Sequence, residues 1–117
     1  MRFISIYTHP SDPSHTGGPN PEMIAKMTKL VEEGMKEGWL IATEGVHSGH
    51  DGFIVKSTQG KVSVVDGPFA EAKEVLGGYA ILEAPSREAV IELSRRFLAV
   101  AGEGTCELHQ IYVPGPQ

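Results

Sequence analysis

Three side chains in this 117-residue sequence are spaced to move a proton: Asp66, Glu44 and His109. Asp66 follows Val62 and Val64 in strand phase, so its carboxylate starts on their face. Pro68 locks its own φ and biases Gly67 away from helical geometry, which gives the chain a defined exit from Asp66. A carboxylate at the lip of an apolar cleft resists ionisation, which suits general acid or base work near neutral pH. A structural role stands beside the chemical one: Asp66 can accept the backbone N–H groups of Phe69 or Ala70 and simply fix the turn. Glu44 is in phase with Leu40, Ala42 and Val46, apolar company for a charge. On the cleft side it would pair with Asp66 as two carboxylates of separated pKa; on the other it is an edge-strand acid in solvent. His109 is in phase with Ile111, and either reaches the same cleft or is a satisfied, partly buried histidine.

The remaining polar and sulfur groups are weaker. Tyr7, Phe69 and Lys73 are the candidate substrate contacts, Lys73 as a cation for an anionic substrate at the rim. The other reading of Lys73 is a solvated face shared with Glu71 and Glu74. His47-Ser48-Gly49-His50-Asp51 offers two histidines and an acid to a zinc ion, but no further ligands stand at a recognisable spacing. That run reads as a solvated loop, and no metal is expected. His9 and His15 belong to a Pro/Gly-rich stretch that could close as a lid. Cys106, in phase with Leu108, reads as a buried inert thiol. Neither Gly17-Gly18 nor Gly77-Gly78 has the spacing of a phosphate loop, so no cofactor is expected.

The elements that must position these groups follow from periodicity and caps. Strands are predicted over Arg2–Thr8, Trp39–His47, Gly52–Ser57, Lys61–Val65, Tyr79–Ala84 and Thr105–Val113, with Thr58-Gln59-Gly60 as a hairpin turn. Asn20 caps a first helix whose stripe is Met23, Ile24, Met27, Leu30, Val31 and Met35, closed by Gly38. Ser86 caps a second, striped by Ala89, Val90, Leu93, Phe97, Leu98 and Ala101 and closed by Gly102. A short helix is expected over Pro68–Val75, ended by Gly77-Gly78. This order predicts a ferredoxin-like split βαβ arrangement (α+β) with an inserted β-hairpin, both long helices on one face of an antiparallel sheet. Two helices cover one face only, yet Phe3 and Tyr7 oppose Ile4 and Ile6 across the first strand. A bare apolar face of that size calls for a second copy packed sheet to sheet, hence a homodimer.

Composition narrows the function. One domain spanning residues 1–117 is expected. The net charge of −5, with ten Lys and Arg scattered along the chain, argues against nucleic-acid binding. No apolar run approaches the roughly 20 residues of a membrane span. The N-terminus is too short and strand-like for a signal peptide. A single cysteine excludes an internal disulfide and suits a cytoplasmic location.

The run Asp66-Gly67-Pro68-Phe69-Ala70-Glu71-Ala72-Lys73-Glu74-Val75-Leu76-Gly77-Gly78-Tyr79 resembles the signature of the DGPF proteins, a branch of the YCII-related family. Glu44-Gly45 is similar to the family's recurring Glu-Gly step. The resemblance implies a dimeric α+β barrel. In many relatives a histidine early in the first long helix is paired with an aspartate as the supposed active site, whereas Pro21-Glu22-Met23-Ile24 holds none. That departure argues against a direct transfer of a His-Asp mechanism, while Glu71 and Lys73 match the family pattern. The resemblance implies either a small-molecule pocket with lyase- or isomerase-like proton chemistry, or a non-enzymatic sensing module linked to sigma-factor regulation.

Overall fold

A computed structural model describes residues 1–10, 20–46, 52–67 and 74–112. The order is β1 (Arg2–Pro10), α1 (Pro21–Glu37), β2 (Leu40–Gly45), β3 (Phe53–Thr58), β4 (Lys61–Asp66), β5 (Glu74–Glu83), α2 (Arg87–Ala101) and β6 (Thr105–Gln110). Four strands form an antiparallel sheet in the order β2-β5-β1-β6, and β3 pairs with β4 in a separate hairpin. This is the ferredoxin-like α+β arrangement that the alternation of elements predicts, with the hairpin inserted between β2 and β5.

Both helices start and stop where their caps dictate. The Asn20 side chain accepts the Met23 N–H at 2.7 Å, and Gly38 ends α1 in the left-handed region with its N–H on the Gly34 carbonyl. Ser86 accepts the Ala89 N–H at 3.2 Å. Parts of both apolar stripes then pack on one sheet face, while Ile24 and Met35 of the first stay half exposed. Phe3, Leu40, Leu82, Ala84 and Val90 form the buried core, with Val31, Trp39, Leu93 and Leu108 packed around it. Arg96 ties the helices together, lying 5.2 Å over the Trp39 ring and 3.1 Å from the Glu33 carboxylate. Among the described residues no helix is long and apolar enough to cross a membrane.

Three local expectations are corrected. First, the register slips between Leu40 and Ala42, which pair with the consecutive Leu82 and Ile81. This bulge sends Leu40 into the core, so Leu40 and Glu44 do not share a face. Second, Glu74 and Val75 open β5 rather than closing a helix, and Gly77-Gly78 lie inside that strand. The cause is β1, which runs on to Pro10 and gives both residues backbone partners: His9 opposite Val75, Pro10 opposite Glu74. Residues 68–73, where the rest of that helix was expected, lie outside the described residues. Third, His9 is a strand residue for the same reason, while His15 lies outside the described residues.

Strand alternation sorts the sheet residues into two sets. Phe3, Ser5, Leu82, Ala80 and Leu108 face the helices. The opposite, helix-free face is laid out in rows across the sheet: Glu44, Tyr79, Ile6 and Glu107 in one, and Ala42, Ile81, Ile4 and His109 in the next. The centre of that face is apolar and its edges are charged.

Candidate functional site

The helix-free face carries two of the three candidate proton-handling groups. Glu44 stands on edge strand β2 and His109 on the opposite edge strand β6, with Tyr79, Ile81, Ile4 and Ile6 between them. Two intervening strands at about 4.8 Å spacing put the two edges roughly 14 Å apart, the width of a small aromatic or alicyclic molecule with room at each end. His109 is exposed rather than partly buried, because β6 is an edge strand with nothing outside it in the sheet. Its imidazole N–H donates to the Glu107 carboxylate at 2.7 Å. Two residues apart on one strand, they share a face, so the carboxylate orients the ring. At one end of the field the Arg2 guanidinium holds Glu83 at 3.2 Å.

Asp66 is placed elsewhere. It ends β4, opposite Phe53, and in the single chain it is exposed along with the rest of the hairpin. The in-phase residues Val62 and Val64 are 69% and 60% exposed, so the face on which Asp66 starts meets solvent rather than an interior of the same chain. Phase tells which residues share a face; it does not tell what covers that face. Glu44 and Asp66 therefore belong to different sheets of the protomer. Phe69 and Lys73, like His47, His50 and Asp51, lie outside the described residues. No cluster of three or more His, Cys, Asp or Glu suited to a metal ion occurs among the described residues.

Tyr7 lies on the helix side, away from Glu44 and His109. Its ring meets Phe97 edge-on at 5.0 Å between centroids, and its hydroxyl donates to the Glu103 carbonyl at 3.0 Å. These contacts fasten the turn before β6, which makes Tyr7 a positioning group for the strand that carries His109. Burial raises the Tyr7 phenol above its ordinary pKa, and the neighbouring Cys106 adds to the rise. Burial likewise raises Cys106, against a smaller opposing hydrogen bond with Ser5. A raised folded-state pKa gives stability that is intact below the unfolded-state value and disappears as pH climbs through the folded one. The melting temperature should thus hold from pH 7 to 8 and fall above about pH 8.5, the ordinary thiol range. The Tyr7→Phe/Cys106→Ala protein should show a shallower decline, and an unchanged slope would dismiss this pair as the cause.

Two members of the face, Tyr79 and Glu107, were not singled out in the sequence. For Glu107 the signal is its place one strand period from His109; Tyr79 has no such neighbour among the candidate residues. Against known proteins, the family model of the YCII-related domain matches residues 2–112. No curated protein matches the chain.

Proposed function

The chain belongs to the YCII-related family, and from that premise we propose that it acts as a homodimer holding a small, largely apolar molecule against the helix-free sheet face. Glu44 and the His109–Glu107 pair serve as acid and base at the two ends of the site, in lyase- or isomerase-like proton transfer. Asp66 is the third proton-handling group. Phe69 and Lys73, which follow it in sequence, are its proposed substrate contacts. The observation that carries this reading is the ordered field itself: an apolar centre of Tyr79, Ile6, Ile81 and Ile4 bounded by a carboxylate on one edge and a carboxylate–imidazole pair on the other. Apolar surroundings with few convergent polar groups are the usual make-up of a small-molecule site. The lone free thiol and the absence of an internal disulfide fit a cytoplasmic setting.

A second reading is a non-enzymatic sensing or accessory module that works through protein contact. The exposed valines beside Asp66 favour it, because such a surface suits a protein better than a metabolite.

Thermal-shift screening against a library of small cyclic acids, ketones and halogenated compounds separates the two. A true ligand at about 100 times its Kd adds about 2.7 kcal/mol of stability, a shift of several degrees for a domain this size. The shift should shrink in Glu44→Gln and in His109→Gln, both exposed positions whose substitution leaves the fold intact. A hit that shifts the parent and both variants equally would remove the site from this face. A library with no hits would leave the contact module as the better reading.

A further inference from the structure

The protomer exposes too much surface for a finished molecule. Its accessible area is 8871 Å², whereas a folded monomer of 12.6 kDa is expected to expose about 6,200 Å². The excess is several times the roughly 800 Å² per partner that a standard interface removes. The shape agrees: the chain spreads over 45 × 43 × 20 Å with a radius of gyration of 16.5 Å, against about 13 Å for a compact domain of this length.

Much of the uncovered apolar area lies on the hairpin. Gln59 and Gly60 both have positive φ, the requirement of a tight two-residue turn, so β3 and β4 form a well-defined ribbon. Its cross-strand pairs give it two unlike sides. Phe53, Val55, Val62 and Val64, at 64%, 59%, 69% and 60% exposure, share one side with Asp66, while Lys56 and Lys61 occupy the other with the less exposed Ile54 and Val65. A strand pattern of this kind is built to bury its apolar side, and an isolated two-stranded ribbon is marginal without such cover. The four-stranded sheet does not supply it by pairing, since among the described residues β3 and β4 pair only with each other.

The same chain carries a second bare surface of suitable character. The helix-free face is apolar at its centre through Ile4, Ile6 and Ile81, the same character as the hairpin's Phe53–Val64 side, while Lys56 and Lys61 on the hairpin's other side would stay toward solvent. A two-fold axis lets each surface cover the other twice over, one contact per chain, which is the economical way for one sequence to hide both. We propose that the β3–β4 hairpin is an arm exchanged between two copies, its Phe53–Val64 side laid against the other copy's helix-free face. The exchange brings Asp66 of one chain onto the face that carries Glu44 and His109 of the other, so the acids of the site come from two chains. This rests on the homodimer proposed above and adds which segment builds it and how the third acid reaches the site.

Complementation between two damaged proteins tests it. Val62→Asp/Val64→Asp spoils the arm and leaves the face; Ile6→Arg spoils the face and leaves the arm. Light scattering at micromolar concentration should give a dimer for the parent and monomers for each variant alone, with circular dichroism unchanged in both. An equimolar mixture should form a heterodimer, because one intact arm meets one intact face, at least tenfold tighter than either variant's self-association. A mixture that stays monomeric overturns the exchange. A hairpin variant that dimerises as the parent does, beside a monomeric Ile6→Arg, overturns the arm and leaves the face-to-face homodimer and its site standing. A monomeric parent overturns both.

Discussion

Phe3→Ala should lower the unfolding free energy by about 3–5 kcal/mol. Phe3 is 8% exposed on β1, a strand with a hydrogen-bonded neighbour on each side, and it belongs to a core of five buried apolar residues among the described ones. It pairs with Leu82 on β5 and Gln110 on β6, under α2. Truncation leaves a cavity that the flanking Leu82 and Val90 cannot fill without moving the helix off the sheet. A total stability of about 5–15 kcal/mol makes that loss a large share of the whole. Urea unfolding followed by circular dichroism measures it. Ile24→Ala on the outer side of α1, where the side chain is 51% exposed, is the control and should cost less than about 1 kcal/mol. Similar costs at the two positions would mean that the core is not where the packing places it.

Gly78→Ala is the second large effect, expected to cost about 2–4 kcal/mol although it adds a single methyl group. A Cβ at Gly78 would stand 2.6 Å from the Glu44 carbonyl oxygen and 3.2 Å from the Gly45 Cα. Both obstacles are backbone, so no rotamer change relieves the clash and β2 must move away from β5. The move displaces Glu44 from Tyr79, and any ligand-induced thermal shift should fall with stability. Gly45→Ala gives the contrast: its nearest obstacle is the Gly77 carbonyl at 3.9 Å, an ordinary contact. Its cost should stay near the strand-propensity difference, within about 1 kcal/mol. Equal melting temperatures for the two proteins would contradict the close approach of the strands.

Local chemistry accounts for what could be read along the chain. Asn20, Pro21 and Gly38 act within one helical turn of themselves, and so do Ser86 and Gly102, which is why both helix boundaries follow from residue types. Strand alternation in β1 likewise separates Phe3 from Ile4 before any partner is known. The bulge at Ile41 has no such local mark. It arises where β2 meets β5, through backbone bonds between segments about forty residues apart, and one extra residue there turns Leu40 and Glu44 to opposite faces.

Asp66 makes the same point for the site. Val62, Val64 and Asp66 are in phase, and that much is intrinsic to a strand. Whether their side is an interior depends on what lies over it, and the protomer's own helices lie over the other sheet. Residue order thus dictated the elements, their caps and the split βαβ succession, since those rest on short-range sterics and periodicity. Only folding in three dimensions settled the register, the row from Glu44 to Glu107 and the separation of the hairpin, because these depend on long-range pairing that no single segment encodes.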